Sequence, residues 1–68
     1  MRNNIKTIRK KKNISQKDLA KFLKVTQQAI SYMENNDVEI PTKRKIKISQ
    51  KLDEDIETIF PEMKMLKK

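Results

Sequence analysis

Residues 15–36 read SQKDLAKFLKVTQQAISYMENN. Two short helices with a tight turn between them account for this pattern, one over 16–23 and one over 27–35. Ser15 and Thr26 stand directly before them. A hydroxyl oxygen at that position accepts a hydrogen bond from a free backbone N–H at a helix start. Asp18, three residues after Ser15, is a near-match to a capping box, where Glu or Gln is usual. Only Lys24-Val25-Thr26 joins the two helices, and helices joined so closely cross at a steep angle, as in a helix-turn-helix. Leu19, Ala20, Leu23, Val25, Ile30 and Met33 can all face one core. The other face of the second of these helices carries Gln27, Gln28, Ser31 and Tyr32. It offers hydrogen-bonding groups and an aromatic ring, and no charge.

Upstream, NNIKTIRKKK predicts a first helix over 3–12, capped by Asn3 or Asn4 and ended by Asn13. Ile5 and Ile8 form its apolar face, and Ile14 packs across the start of the next helix. Phe22, three residues from Leu19, is expected in the core or at its edge. Downstream, Asn35-Asn36-Asp37 stops the helix over 27–35, with Asn36 as the left-handed residue. The chain has no glycine, so such positions fall to Asn or to less suitable residues. Ile40 precedes a proline and is pushed to an extended conformation. Thr42 is expected to cap a fourth helix over 43–52, with Leu52 and either Ile46 or Ile48 inward. Asp53, Glu54 and Asp55 lie near the start of a short fifth helix, where the helix dipole favours acids. Ile56, Ile59 and Phe60 point inward, and Pro61 stops the helix. Residues 62–68 form a tail, in which Met63-Lys64-Met65 alternates as a strand would but is too short to decide. The expected fold class is all-α, five helices in one domain over 1–68.

Two charges fall on faces that should be buried. Arg9 lies four residues after Ile5, and Glu34 four residues after Ile30. A lone buried charge is costly, so burial of both predicts that they pair. An Arg9–Glu34 salt bridge would tie the first helix to the third.

Composition narrows the function. With no Cys and no His, neither a disulfide nor the usual structural zinc site is available. No metal or cofactor is expected. No apolar run approaches the roughly 18 residues needed to span a membrane, and no signal peptide is evident, so a soluble, cytoplasmic protein is expected. Without His, Cys or a Gly-rich loop, catalysis is not expected either. The net charge is +8 on 68 residues, which fits a polyanionic partner. Residues 1–24 carry nine bases and one acid, 25–42 carry three acids and no base, and 43–52 carry five bases and no acid. Basic flanks would then hold phosphates while the neutral face between them reads base edges. Glutamine suits that role, because its amide can bond adenine N6 and N7 together. Tyr32, one turn further on, can reach a thymine methyl or a phosphate. Lys17 and Lys43 flank helix starts near the same surface.

The stretch IKTIRKKKNISQKDLAKFLKVTQQAISYMEN, the Pro41-Thr42 pair and the closing DEDIETIF resemble the helix-turn-helix family of phage Cro and repressor proteins, the XRE family. TQQAISYMEN is similar to the recognition helix of the 434-type phage repressors. The resemblance implies a five-helix, lambda-repressor-like domain that binds double-stranded DNA as a homodimer on a palindromic operator. It implies a transcriptional regulator, expected to be a repressor, with no small-molecule effector evident. Gln27, Gln28 and Tyr32 match its base-facing positions. Gln16 matches a phosphate-gripping position, Ser31 one near the backbone and Asn35 one near phosphate. Lys17, Thr26 and Lys43 complete the expected positioning set. Arg9 and Glu34 match a family salt bridge. Lys24 stands where the family usually has Gly, and Asp37 and Glu39 occupy a loop that is often basic in it. The placing of Pro41 suggests a one-residue change in loop length, and backbone N–H groups at Thr42 and Lys43 can take over phosphate there. For Met63 onward, dimerisation and completion of the monomer core both stay open. An alternative is a protein-interaction module of the same fold, such as an antitoxin or antirepressor.

Overall fold

The computed structural model describes residues 3–36 and 38–66, with side chains through Lys64. Asp37, Lys67, Lys68 and the side chains of Met65 and Leu66, named above as loop, tail or dimer residues, lie outside the described residues. Five α-helices follow one another: α1 (Ile5–Lys11), α2 (Gln16–Leu23), α3 (Gln27–Asn35), α4 (Thr42–Leu52) and α5 (Ile56–Ile59). A 3-10 helix, Pro61–Leu66, follows α5, and no strand occurs among the described residues. Residues 62–66 are therefore helical, where the Met63-Lys64-Met65 alternation was too short to decide.

The caps explain the bounds of α2 and α3. Ser15 Oγ accepts from Asp18 N at 2.9 Å, and Thr26 Oγ1 accepts from Ala29 N at 3.1 Å. The two asparagines before α1 divide their work. Asn3 Oδ1 accepts from Ile5 N at 3.1 Å, so Asn3 supplies the cap. Asn4 sits at the cap position but sends its amide to Thr58 O at 2.9 Å, and its backbone N–H to Ile59 O at 2.7 Å. Asn3 also donates from Nδ2 to Met33 O at 3.0 Å. The start of α1 is thus clasped to the ends of α3 and α5.

Thr42 does not cap α4; it is the first helical residue. The Pro41 carbonyl accepts from both Arg44 N and Lys45 N at 3.0 Å, so the helix begins one residue earlier than expected. Asn36 is not left-handed but extended, at φ −130° and ψ 153°. Its backbone N–H and its Nδ2 both donate to Tyr32 O, which closes α3 without a reversal. Among the described residues the left-handed ones are Asn13, Lys24 and Asp53, at φ 60°, 60° and 55°. Lys24 adopts that conformation despite its Cβ, as the backbone reversal between α2 and α3 requires.

The core is Ile5, Ile8, Leu19, Ala20, Ile30, Met33, Ile40, Ile48, Leu52, Ile59 and Phe60. Leu23 and Val25 pack against it, half-buried. Of the two isoleucines of α4, Ile48 is buried and Ile46 is exposed. Phe22 is neither in the core nor at its edge. It is 42% exposed, at the boundary of α2 and α4, under the Lys51 ammonium. Ile59 and Phe60 are fully taken up by the monomer core, and Ile56 and Met63 pack on it.

Candidate nucleic-acid interface

α2 packs against α3, and α4 packs against α2. The reversal at Lys24 turns the chain so that α3 shows Gln27, Gln28 and Tyr32 to solvent, Tyr32 with 58% exposure. Ile30, Met33 and Glu34 form its buried side. No ionisable group other than the Tyr32 phenol lies on the exposed side of α3.

Beneath that side runs a polar network. Arg9 Nε donates to Glu34 Oε2 at 2.7 Å and Arg9 Nη2 to Glu34 Oε1 at 3.3 Å. Both side chains are almost wholly buried. Arg9 Nη1 also donates to Ile14 O at 3.0 Å, so the guanidinium fixes the α1–α2 connection as well. Gln16 Nε2 donates to Glu34 Oε1 at 3.0 Å, and Gln27 Nε2 donates to Gln16 Oε1 at 3.3 Å. Arg9, Glu34, Gln16 and Gln27 thus form one chain of contacts from the core to the first exposed turn of α3. Every buried side-chain N or O among the described residues has a partner. A charge pair this deep is tolerable only when its remaining hydrogen-bonding capacity is satisfied.

The links to Gln16 were not legible as spacing. Gln16 and Glu34 belong to different helices, and only the crossing angle brings them together. The geometry leaves Gln27 with one free N–H and its carbonyl oxygen, the donor–acceptor pair that adenine presents partners for in the major groove. Gln28 lies beside it, exposed.

The other candidates distribute around this centre. Lys17 and Lys43 are exposed in the first turns of α2 and α4. Thr26 is exposed, with its hydroxyl engaged in the cap. Ser31 is half-buried. Asn35 Nδ2 donates to Ser31 O at 2.8 Å and lies 3.3 Å from Ser31 Oγ. Its amide donors are therefore turned into its own helix, and a phosphate contact requires them to leave Ser31.

A model of the helix-turn-helix family matches residues 5–59, the span from α1 to the end of α5. The chain belongs to the XRE, or Cro/CI-type, helix-turn-helix family. As a member of that family it is a DNA-binding regulator, and its five helices are those of the family domain. No curated protein matches the chain significantly. Among the described residues no helix is long and apolar enough to cross a membrane, and no cluster of acids could hold a metal ion.

One buried charge outside this surface escaped the sequence reading. Lys45 is 8% exposed, with Nζ 2.8 Å from Glu62 Oε2, 3.8 Å from Met63 Sδ and 5.5 Å from the centre of the Phe60 ring. Its spacing held the signal, since 45, 48 and 52 share a helical face with Ile48 and Leu52.

Proposed function

We propose that the chain is a cytoplasmic transcriptional repressor that binds a palindromic operator as a homodimer, with α3 in the major groove. Gln27, Gln28 and Tyr32 read bases. Gln16, Lys17, Thr26, Ser31, Asn35 and Lys43 meet or position the DNA backbone. Arg9 and Glu34 hold α3 at its angle. The observation that carries this reading is the hydrogen bond from Gln27 to Gln16. It orients a glutamine that would otherwise sample many rotamers, and it leaves free the two groups adenine needs.

Charge supports the division of labour. Lysines cluster before and after α3, and its exposed side is uncharged, so affinity and base choice arise from different side chains. Dimerisation draws its support from the two-fold sites that helix-turn-helix proteins read, with half-sites roughly 34–36 Å apart. The exposed Ile46 on α4 offers apolar surface for it; Ile59 and Phe60 are already inside the monomer. Met63, in the 3-10 helix after α5, packs on that same core and adds to the closure of the monomer.

Selection of preferred duplexes from a random pool, followed by a salt titration on the best sequence, tests the reading. Enrichment of a palindrome with A·T pairs at the positions facing the two glutamines is expected. Failure to enrich any sequence at moderate salt would overturn it in favour of a protein-binding role. Sedimentation of the chain with and without the selected duplex tests the dimer.

A further inference from the structure

We propose that the cleft between the C-terminal end of α2 and the N-terminal half of α4 docks an acidic segment of a partner protein that carries a bulky apolar side chain. The cleft is open to solvent and holds about 290 Å³. A large side chain fits within it. Phe22 and Pro41 give it apolar walls, and Lys24, Lys43, Arg44 and Lys47 surround them. No carboxylate lines it among the described residues. Lys51 extends the basic rim, with its ammonium 5.7 Å from the centre of the Phe22 ring.

Two features together select the occupant. Phe22 is a large apolar side chain left 42% exposed on α2, whereas Phe60, the other phenylalanine, is fully buried in the core. A ring and a proline between cations give nothing to phosphates alone, which bind charge and N–H groups. An acidic peptide with an apolar anchor satisfies both components, through rim charge pairs and a desolvated centre. A purely polyanionic ligand satisfies only the rim.

The cleft shares Lys43 and Arg44 with the basic surface available to DNA, so the peptide titration is run without DNA and its failure is distinct from that of the operator reading. The probe is a short synthetic peptide of glutamates around a central Phe-Leu pair, titrated into the labelled full chain and followed by amide chemical shifts. Shifts confined to Phe22, Lys24, Lys43, Arg44 and Lys47 and their neighbours are expected. Phe22→Ala should weaken the peptide by about tenfold or more, the loss expected for one buried aromatic anchor. Phe22 is exposed, so this variant keeps the core. Lys47→Glu should weaken the peptide as well, through charge reversal at the rim. In a parallel titration with the selected duplex, Phe22→Ala should leave affinity within about twofold, because the ring is assigned no DNA contact. The proposal is overturned if replacing the Phe-Leu pair by alanines leaves binding unchanged. It is equally overturned if shifts scatter over every lysine-rich surface, if the probe does not bind, or if Phe22→Ala weakens duplex and peptide alike.

Discussion

Gln16 donates to Glu34 at 3.0 Å, so the first turn of α2 is bonded to the carboxylate that Arg9 neutralises inside the core. α3 is therefore braced from below at its buried carboxylate and from the side at Gln27. Removing Arg9 strands Glu34 in an apolar surround with only one amide partner. Arg9→Met should cost about 3–5 kcal/mol, and so should Glu34→Leu, while the double variant should recover much of the loss. Denaturant melts of the three variants check this. Unchanged midpoints in both single variants would mean the pair adds nothing.

Gln27 and Gln16 should behave as a coupled pair on DNA. Gln27→Ala and Gln28→Ala should each relax preference at one base position by about 1–3 kcal/mol. Gln16→Ala should weaken all sequences and, among base positions, blur preference at the Gln27 position alone, and the Gln16/Gln27 double variant should lose less than the sum of the singles. Binding to duplexes substituted at each position reads this out. Strict additivity would contradict the coupling.

Lys43→Ala should act differently. It should weaken all sequences alike and lower the salt slope by about one unit. A Lys43 variant that changed base preference would undo the division between holding and reading.

Lys24 is held at φ 60° with a full side chain. The left-handed conformation costs a non-glycine residue about 1–2 kcal/mol, offset in a glycine variant by greater freedom of the unfolded chain. Lys24→Gly should therefore raise stability by about 0.5–1 kcal/mol, measured by thermal or denaturant melting. A lower midpoint would show that the lysine side chain stabilises the turn in some other way.

Acid should loosen the C-terminal turn first. Partial burial raises the Glu62 pKa, but the hydrogen bond from Lys45, one from its own backbone N–H and the Lys45 charge outweigh it, leaving the carboxyl below its ordinary 4.5. A depressed carboxyl stabilises the fold above its unfolded value, and that stabilisation disappears as pH falls through the folded value. Glu62 is about half exposed, so solvent screening keeps the effect small. Exchange of the Met63 amide, which donates to Phe60 O at 2.9 Å, should quicken relative to core amides below about pH 4.5. Glu62→Gln should remove the difference.

The most legible parts of the fold were those set by local chemistry. Ser15 and Thr26 mark α2 and α3 to the residue, because a cap is a contact between neighbours in sequence. The faces of Leu19, Ile30 and Met33 followed from helical spacing. Errors arose where a local cue had two outcomes. Asn36 can be left-handed or can cap with its amide, and it does the second. Thr42 resembles a cap, but the preceding carbonyl of Pro41 is already in place to accept. Phe22 reads as core by type, and only the angle between α2 and α4 leaves it outside. Lys45 sits in a run of bases that reads as solvated, and its burial depends on Glu62, seventeen residues on. The hydrogen bonds of Gln16 show the same limit in the candidate site. Residue types and faces were readable there, and the contacts between helices were not.

The uncharged outer side of α3 has a consequence for how such a regulator would respond to its surroundings. Ionic strength acts on phosphate contacts, and none of the groups proposed to choose among bases carries a charge. A rise in salt would then shorten residence on every site by a common factor and leave the ranking of sites intact. The order in which targets are vacated would follow from their sequences, while the moment of vacating would follow from the medium.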